Sequence, residues 1–253
     1  MAVFGYSAVF LIILAVSGLI WLADILWRRR RGAGLPARSL VEYARSFFPI
    51  LLVLVLIRSF LFEPFRIPSG SMVPTLLIGD FILVNKFDYG IRLPVTNTVI
   101  IPTGHPRVGQ VVVFRYPLHP SVDYIKRVVG VPGDWVRYQG NRLWINHHRV
   151  PHVCQGLYRG PDGESGSLLC VEQLGRVKHE ILITPGMPAP TGRYRVPSRH
   201  YFMMGDNRDD SDDSRYWGSV PNRDLIGRAV VIWFNWDAFS HMPIWSRIGR
   251  IIH

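Results

Sequence analysis

Cysteine, lysine and acidic residues are all scarce in this chain of 253 residues. Two cysteines are too few for a disulfide scaffold or a four-cysteine zinc site. Of 29 Lys+Arg only Lys86, Lys126 and Lys178 are lysines, so almost all of the positive charge is guanidinium, which stays protonated. Charged residues make up 19% of the chain, below the roughly 25% of a soluble domain, and hydrophobic residues make up 48%. This excludes a disordered chain and points to a part that lies in lipid. With 18 acids the net charge is +11. A basic excess of that kind suits nucleic acid or an anionic membrane surface.

Residues 2–23 hold no charge, Asp24 interrupts, and Arg28-Arg29-Arg30-Arg31 comes next. Roughly 20 apolar residues cross the hydrocarbon core as a helix. A cleavable leader carries its positive charge before the apolar run, so Val3–Trp27 reads as a retained membrane helix. A second run, Phe47–Ile57, continues past Arg58 to Phe62 and stops at Glu63-Pro64. It is short for a span, and an interfacial or buried helix is the alternative. Pro49 is placed at its start. Between the runs, residues 28–46 carry six arginines and one acid. Such loops stay in the cytoplasm, which would put both chain termini and the large domain outside. The membrane then accounts for part of the basic balance without nucleic acid, and the residual charge of the large domain suits anionic lipid headgroups.

After Pro64 the spelling changes to short runs rich in Val, Ile and aromatics. They are Phe81–Phe87, Val111–Arg115, Tyr124–Val129, Trp135–Tyr138, Arg142–Ile145, His200–Met204 and Gly227–Trp233. Gly and Pro punctuate them, which predicts strands. The fold class expected is mainly β: two N-terminal transmembrane helices, then a β-rich core with an inserted second β subdomain. The division is 1–27 first helix, 28–46 basic loop, 47–63 second helix, 64–149 core, 150–199 insertion and 200–253 core again. The insertion is rich in Gly, Pro and polar residues and holds Cys154 and Cys170. Outside the cytoplasm these two can pair, closing a loop worth about 3 kcal/mol; two free thiols are the alternative.

Three clusters carry chemistry-bearing residues. In Pro68-Ser69-Gly70-Ser71-Met72-Val73-Pro74 two prolines and a glycine can present a hydroxyl rigidly, or simply make a turn. A serine nucleophile needs a base. His105, His119, His147, His148, His152 and His179 sit in loop-like spelling, and His200 starts a strand. A lysine serves only if burial lowers its pKa. On a strand, Lys126 shares a face with Tyr124 and Val128, while Arg127 points the other way. Lys86, with Ile82 and Val84 on its face, competes; Lys178 reads as solvated. The acidic stretch 205–218 fails the calcium-loop spacing, with Ser211 and Trp217 where Gly and Glu are required. By itself it reads as a braced polar loop.

Four stretches, PSGSMVPTL (68–76), GDFILVNKFDYG (79–90), DYIKRVVGVPGD (123–134) and GDNRDDSDDSRYWG (205–218), come after an apolar helix in that order. Together they resemble the bacterial type I signal peptidases (leader peptidases), membrane-anchored Ser–Lys endopeptidases. The tail Ser246–His253 is similar to Gram-negative members, and 150–199 shows no match. The resemblance implies Ser71 as nucleophile and Lys126 as general base, with the Ser71 N–H and the Ser69 hydroxyl as oxyanion hole. It implies that Ser211 orients Lys126 and that Asp213 and Arg215 brace the loop. Substrate would be flanked by Phe65–Ser69 and Asp123–Ile125, with Ile67, Pro68, Met72, Leu76, Tyr124 and Ile125 walling a pocket for alanine. It further implies no cofactor and no metal. Secretory preproteins and the phospholipid membrane are the partners, with cleavage after A-x-A at the periplasmic face of a bacterial inner membrane. A monomer is the expectation. Asp210 departs from the Asn common in the family and would slightly raise the lysine pKa.

Two other readings compete. One is a tethered, non-enzymatic β-domain that contacts lipid through Phe60, Phe62, Phe65, Trp233, Trp236 and Trp245. The other is a self-cleaving repressor-type Ser–Lys peptidase, which lacks a membrane anchor. Cleavage of a preprotein in trans separates both from the first.

Overall fold

The computed structural model describes residues 2–31, 39–92, 98–162, 166–237 and 241–253. Two helices come first, α1 (Ala2–Arg31) and α2 (Ser39–Leu56), the second continuing as a π-helical turn Ile57–Leu61. They pack closely: Trp21 and Phe48 rings lie 5.2 Å apart, and a Cβ on Gly18 would stand 2.7 Å from the Phe48 ring. Both helices differ in bounds from the sequence reading. Arg28–Arg31 and Ser39–Ser46 are helical, and of the expected loop only 32–38 is left, outside the described residues. The second helix begins at Ser39, with Glu42 in its first turn where the helix dipole favours an acid. Pro49 therefore lies inside it rather than at its start. The stretch Val41–Leu61 is long and apolar enough to cross a membrane; the apolar stretch Leu11–Trp27 of α1 is shorter.

Beyond α2 the chain is mainly β, as the punctuated apolar runs suggest. The strands among the described residues are β1 (Phe62–Arg66), β2 (Asp80–Asn85), β3 (Ile91–Arg92), β4 (Val99–Ile101), β5 (Val111–Tyr116), β6 (His119–Gly130), β7 (Trp135–Gln139), β8 (Arg142–Ile145), β9 (His148–Arg149), β10 (His152–Leu157), β11 (Leu168–Leu174), β12 (Val177–Ile183), β13 (Gly192–Arg195), β14 (His200–Met204), β15 (Val220–Pro221) and β16 (Leu225–Asn235). A one-turn helix α3 (Ser214–Trp217) precedes β15. The main sheet has the order β1-β2-β16-β5-β6-β14-β15. A four-stranded sheet is ordered β13-β7-β8-β9, and a three-stranded one β10-β11-β12. The segment 150–199 thus makes one sheet of its own and lends β13 to β7. Cys154 and Cys170, cross-strand partners on β10 and β11, are joined by a disulfide. His119, His148, His152 and His179 lie in strands rather than loops.

One cross-strand row sets the level of the site. Lys126 pairs with Val112, Val112 with Arg228, Arg228 with Asn85, and Asn85 with Phe62. Phe62 is the first residue after the apolar helix, so Lys126 lies in line with the point where the helix hands over to the sheet. Antiparallel pairing throughout makes β6 run on from Lys126 to Gly130 in the direction in which β1 leaves the helix. The core under this row is Ile67, Met72, Leu76, Ile82, Val84 and their neighbours.

The tail closes the sheet from below. Arg247, 6% exposed, bonds the fully buried Asp80 through Nε (2.8 Å to Oδ1) and Nη2 (2.5 Å to Oδ2), and reaches the Thr75 carbonyl at 3.0 Å. Asp80 is also held by Asn235 and by the Leu77 N–H, each at 2.8 Å. Removing the cation leaves a buried carboxylate short of its partner. Arg247→Ala should therefore cost about 3–5 kcal/mol, read from denaturant melts in detergent; a loss below about 1 kcal/mol would mean that the pair contributes no more than a surface one.

Candidate active site

Ser71 sits in a one-turn 3₁₀ segment, Gly70–Met72, entered from extended Ser69. The turn is closed by the Val73 N–H on the Gly70 carbonyl (3.0 Å). Asn207 clamps it from outside: its backbone N–H reaches the Ser71 carbonyl at 3.1 Å and its Nδ2 the Gly70 carbonyl at 3.2 Å. Asn207 is itself tied to β12, where the Leu182 N–H donates to the Asp206 carbonyl and the Arg208 N–H to the Leu182 carbonyl, each at 2.9 Å. The nucleophile candidate thus rests on the edge of the three-stranded sheet. Ser71 is 9% exposed.

Lys126 projects from β6 onto this turn. Its Nζ donates to Ser71 Oγ at 2.5 Å and lies 5.5 Å from the centre of the Tyr124 ring, the neighbour that strand alternation assigns to it. Lys126 is 4% exposed. Burial strips water from the ammonium and pushes its pKa down to about 8, against weaker upward pulls from Asp213, Asp212, Asp206 and Asp210. The other lysines are placed otherwise. Lys86 pairs with Glu63 at 3.1 Å, and Lys178 is exposed.

Arg127, the next residue, is equally buried but has a counter-ion. Its Nε and Nη2 bond the two carboxylate oxygens of Asp206 at 2.8 and 2.7 Å, and Thr75 donates to the same carboxylate at 2.5 Å. Burial raises the Asp206 pKa, yet Arg127 outweighs it and holds the carboxyl below its usual range. A second buried pair, Arg208–Glu172, stands behind it, with His179 between Glu172 (3.4 Å) and Asp206 (3.7 Å). These residues escaped the sequence reading. The available hint was a strand with two adjacent cations, whose opposite faces must both be buried if the strand is central.

The other expected site residues fall into place unevenly. Ser69 Oγ stands 3.5 Å from Ser71 Oγ, and Ser69 is exposed. Asp213 accepts from Arg215 Nε and Nη2, each at 2.8 Å, and from the Gly205 N–H at 3.0 Å. Ser211 is buried, but its Oγ has no hydrogen-bond partner among the described residues; the expected bond to Lys126 is not formed, and the lysine meets Ser71 instead. Ile67, Met72, Leu76 and Ile125 share one apolar cluster against which Phe65 packs, with Met72 and Leu76 wholly buried beneath the site. Pro68 is exposed. Tyr124 joins a different group, stacked on Tyr116 at 4.4 Å and bonded to Asp212 at 3.1 Å. Asp123 is half-buried, and burial, then Glu63, pushes its pKa up to about 6. Asp210 is exposed near the Gly70 turn.

Residues 40–236 match the family described as signal peptidase, peptidase S26. A signal peptidase I of Pseudomonas fluorescens is 51% identical over 227 residues, covering 84% of this chain and 79% of that one. One of Pseudomonas aeruginosa is 50% identical over 232 residues, with 85% and 80% covered. A crystal structure of a signal peptidase I from Enterococcus faecalis aligns with 49% of this chain and 96% of that one, at 24% identity and a TM-score of 0.30.

Gly205 offers a test of this packing. A Cβ there would stand 2.3 Å from Ser211 Oγ and 2.4 Å from the Ser71 carbonyl oxygen. One of them has to move, and a shift of about 1 Å at a reacting group costs on the order of 100-fold. Gly205→Ala should lose peptide hydrolysis by about that factor while its melting profile stays cooperative; full activity would show that the carbonyl of Ser71 is not held where it stands.

Proposed function

The chain belongs to the signal peptidase family, peptidase S26, and from that premise we propose that it removes signal peptides from secreted preproteins with a Ser71–Lys126 dyad. The observation that carries this is the 2.5 Å contact between a buried lysine amine and a serine hydroxyl. With Lys126 neutral, its lone pair takes the Ser71 proton as Oγ adds to the scissile carbonyl carbon. The oxyanion that develops is held by the Ser71 N–H and the Ser69 hydroxyl, a contribution of about 3–4 kcal/mol per donor in other hydrolases. The tetrahedral adduct collapses to an acyl-serine as the ammonium of Lys126 returns its proton to the leaving amine. Water, deprotonated by the same amine, then attacks the ester, and Ser71 Oγ leaves with the proton.

Lysine suits this task because its pKa can be moved by burial; guanidinium cannot serve. Asp213 and Arg215 hold the loop that covers the dyad, and Ser211 lies in that loop with a free hydroxyl able to turn towards the amine. The preprotein would lie extended between Phe65–Ser69 and Asp123–Ile125. On β6 the pairing with β14 involves only Arg127, Val128 and Gly130, leaving the Asp123–Ile125 edge open on that side. Ile67 and Ile125 would limit the pocket to small residues of the A-x-A type.

The anchor is read as two membrane-crossing helices with the β-domain on the periplasmic side of an inner membrane. Val41–Leu61 is apolar enough to cross.

Ser71→Ala and Lys126→Ala should each reduce cleavage of a preprotein in detergent by at least about 10³-fold, and Lys126→Arg should match them. Lys86→Ala and Lys178→Ala should stay active. Activity needs the neutral amine, so kcat/KM should rise with pH through about 8. A limb near ~6.5 that persists in every single-lysine variant would end the Ser–Lys reading.

Topology can be tested separately. Reporter fusions at Gly34 and Gly140 should report opposite sides of the membrane; the same side for both would mean that α2 does not cross.

A further inference from the structure

The four-stranded sheet β13-β7-β8-β9 has two unlike faces. Val136, Tyr138 and Leu143 point inward and are buried. On the outer face, register places Arg193 opposite Arg137, Arg137 opposite Trp144, and Trp144 opposite Arg149; in the next row Arg195 faces Trp135. The Arg137 guanidinium lies 4.1 Å from the centre of the Trp144 ring and that of Arg193 4.2 Å from Trp135. These stacked cations line one shallow cleft with His147. Among the described residues none of the four guanidiniums has a carboxylate partner. Like charges directly opposite each other across strands cost stability, and guanidiniums stacked on indoles still present their N–H edges outward. The face is built for an anion that the chain itself does not supply.

We propose that this face docks an acidic polypeptide segment. The cleft is open and its donors are spread over β13, β7 and β9 of a sheet whose strands lie about 4.8 Å apart, so it makes many weak contacts with a multivalent ligand and no enclosed cradle for a single phosphate. A bilayer does not suit its position. Lys126 is level with the helix exit, and β6 carries the chain on past Gly130, away from that exit, before β7 begins. The face follows the Gly130 end of β6. Outside the cytoplasmic membrane, a compartment that rests on the function proposed above, carboxylate-rich protein is the polyanion that an enzyme of preproteins meets.

The probe is a fluorescent decapeptide alternating Glu and Ala, titrated by anisotropy against the full chain in neutral-lipid nanodiscs. Arg137→Gln/Arg193→Gln should weaken binding about tenfold or more, and so should raising salt from about 0.05 to 0.2 M. The Gln–Ala peptide should not bind. Arginine-specific modification by phenylglyoxal should slow at Arg137 and Arg193 when the acidic peptide is added. Binding that the double variant leaves unchanged overturns the proposal. So does protection of these arginines by inorganic phosphate alone, or by anionic lipid in the discs with no peptide present. Preprotein cleavage is followed in the same samples. Cleavage intact with no peptide binding sinks the docking face alone. Peptide binding by a chain that cleaves nothing sinks the catalytic reading and leaves the face standing.

Discussion

A lysine amine kept dry beside a serine hydroxyl is the constraint on which the rest of this structure turns. Desolvating an ammonium is costly unless a counter-ion is supplied, and here it is not. Lys126 has a hydroxyl and an aromatic ring for company, and its acids stand farther off, so the cost appears as a lowered pKa. Arg127, one residue on and buried as deeply, is treated in the opposite way. It receives both oxygens of Asp206. Two neighbouring cations on one strand thus diverge because one face of β6 offers a carboxylate and the other does not. The paired one fixes the strand, and the unpaired one is left free to lose its proton.

The pairing also explains how distant segments meet. Asp206 accepts from Thr75, four residues after Ser71, and from Arg127, next to Lys126. A single carboxylate therefore ties the Ser71 loop, the strand that carries Lys126 and the 205–218 loop together. Asn207 extends the same bracing to the serine turn itself, and Leu182 carries it into β12. The 150–199 segment showed no family motif in the sequence, yet it lies inside the family match over 40–236 and supports the Ser71 turn through Leu182.

Much of the strand framework was legible because half-buried strands alternate and Gly or Pro marks their ends. Arg142–Ile145 and His200–Met204 fall where the spelling put them, and β6 differs chiefly by starting earlier at His119. Helix bounds were less legible. An apolar helix hides its start when polar residues such as Glu42 and Arg45 lie within its first turns, and a proline inside such a helix imitates an entrance. Ser71 and Lys126 stood out only when the four stretches were taken together as a family resemblance. Their supports did not: Asp206, Asn207 and His179 are ordinary polar residues in the sequence, and only long-range pairing reveals that they are buried. Ser211 shows the converse, a residue whose neighbourhood is right while its hydroxyl bonds to nothing among the described residues.

The unbroken row from Phe62 to Lys126 has a geometrical consequence. It is made of main-chain pairing across five strands, so the height of the amine above the helix exit is fixed by backbone spacing and hardly by side chains. Such a row acts as a ruler. Under the function proposed above, a polypeptide whose own apolar stretch stops at the bilayer surface would be measured from that surface, and the bond presented to Ser71 would be selected by its distance along the chain as well as by the size of its flanking residues. Lengthening or shortening the turn between α2 and β1 by a residue would move the ruler's zero while leaving every group at the dyad where it is.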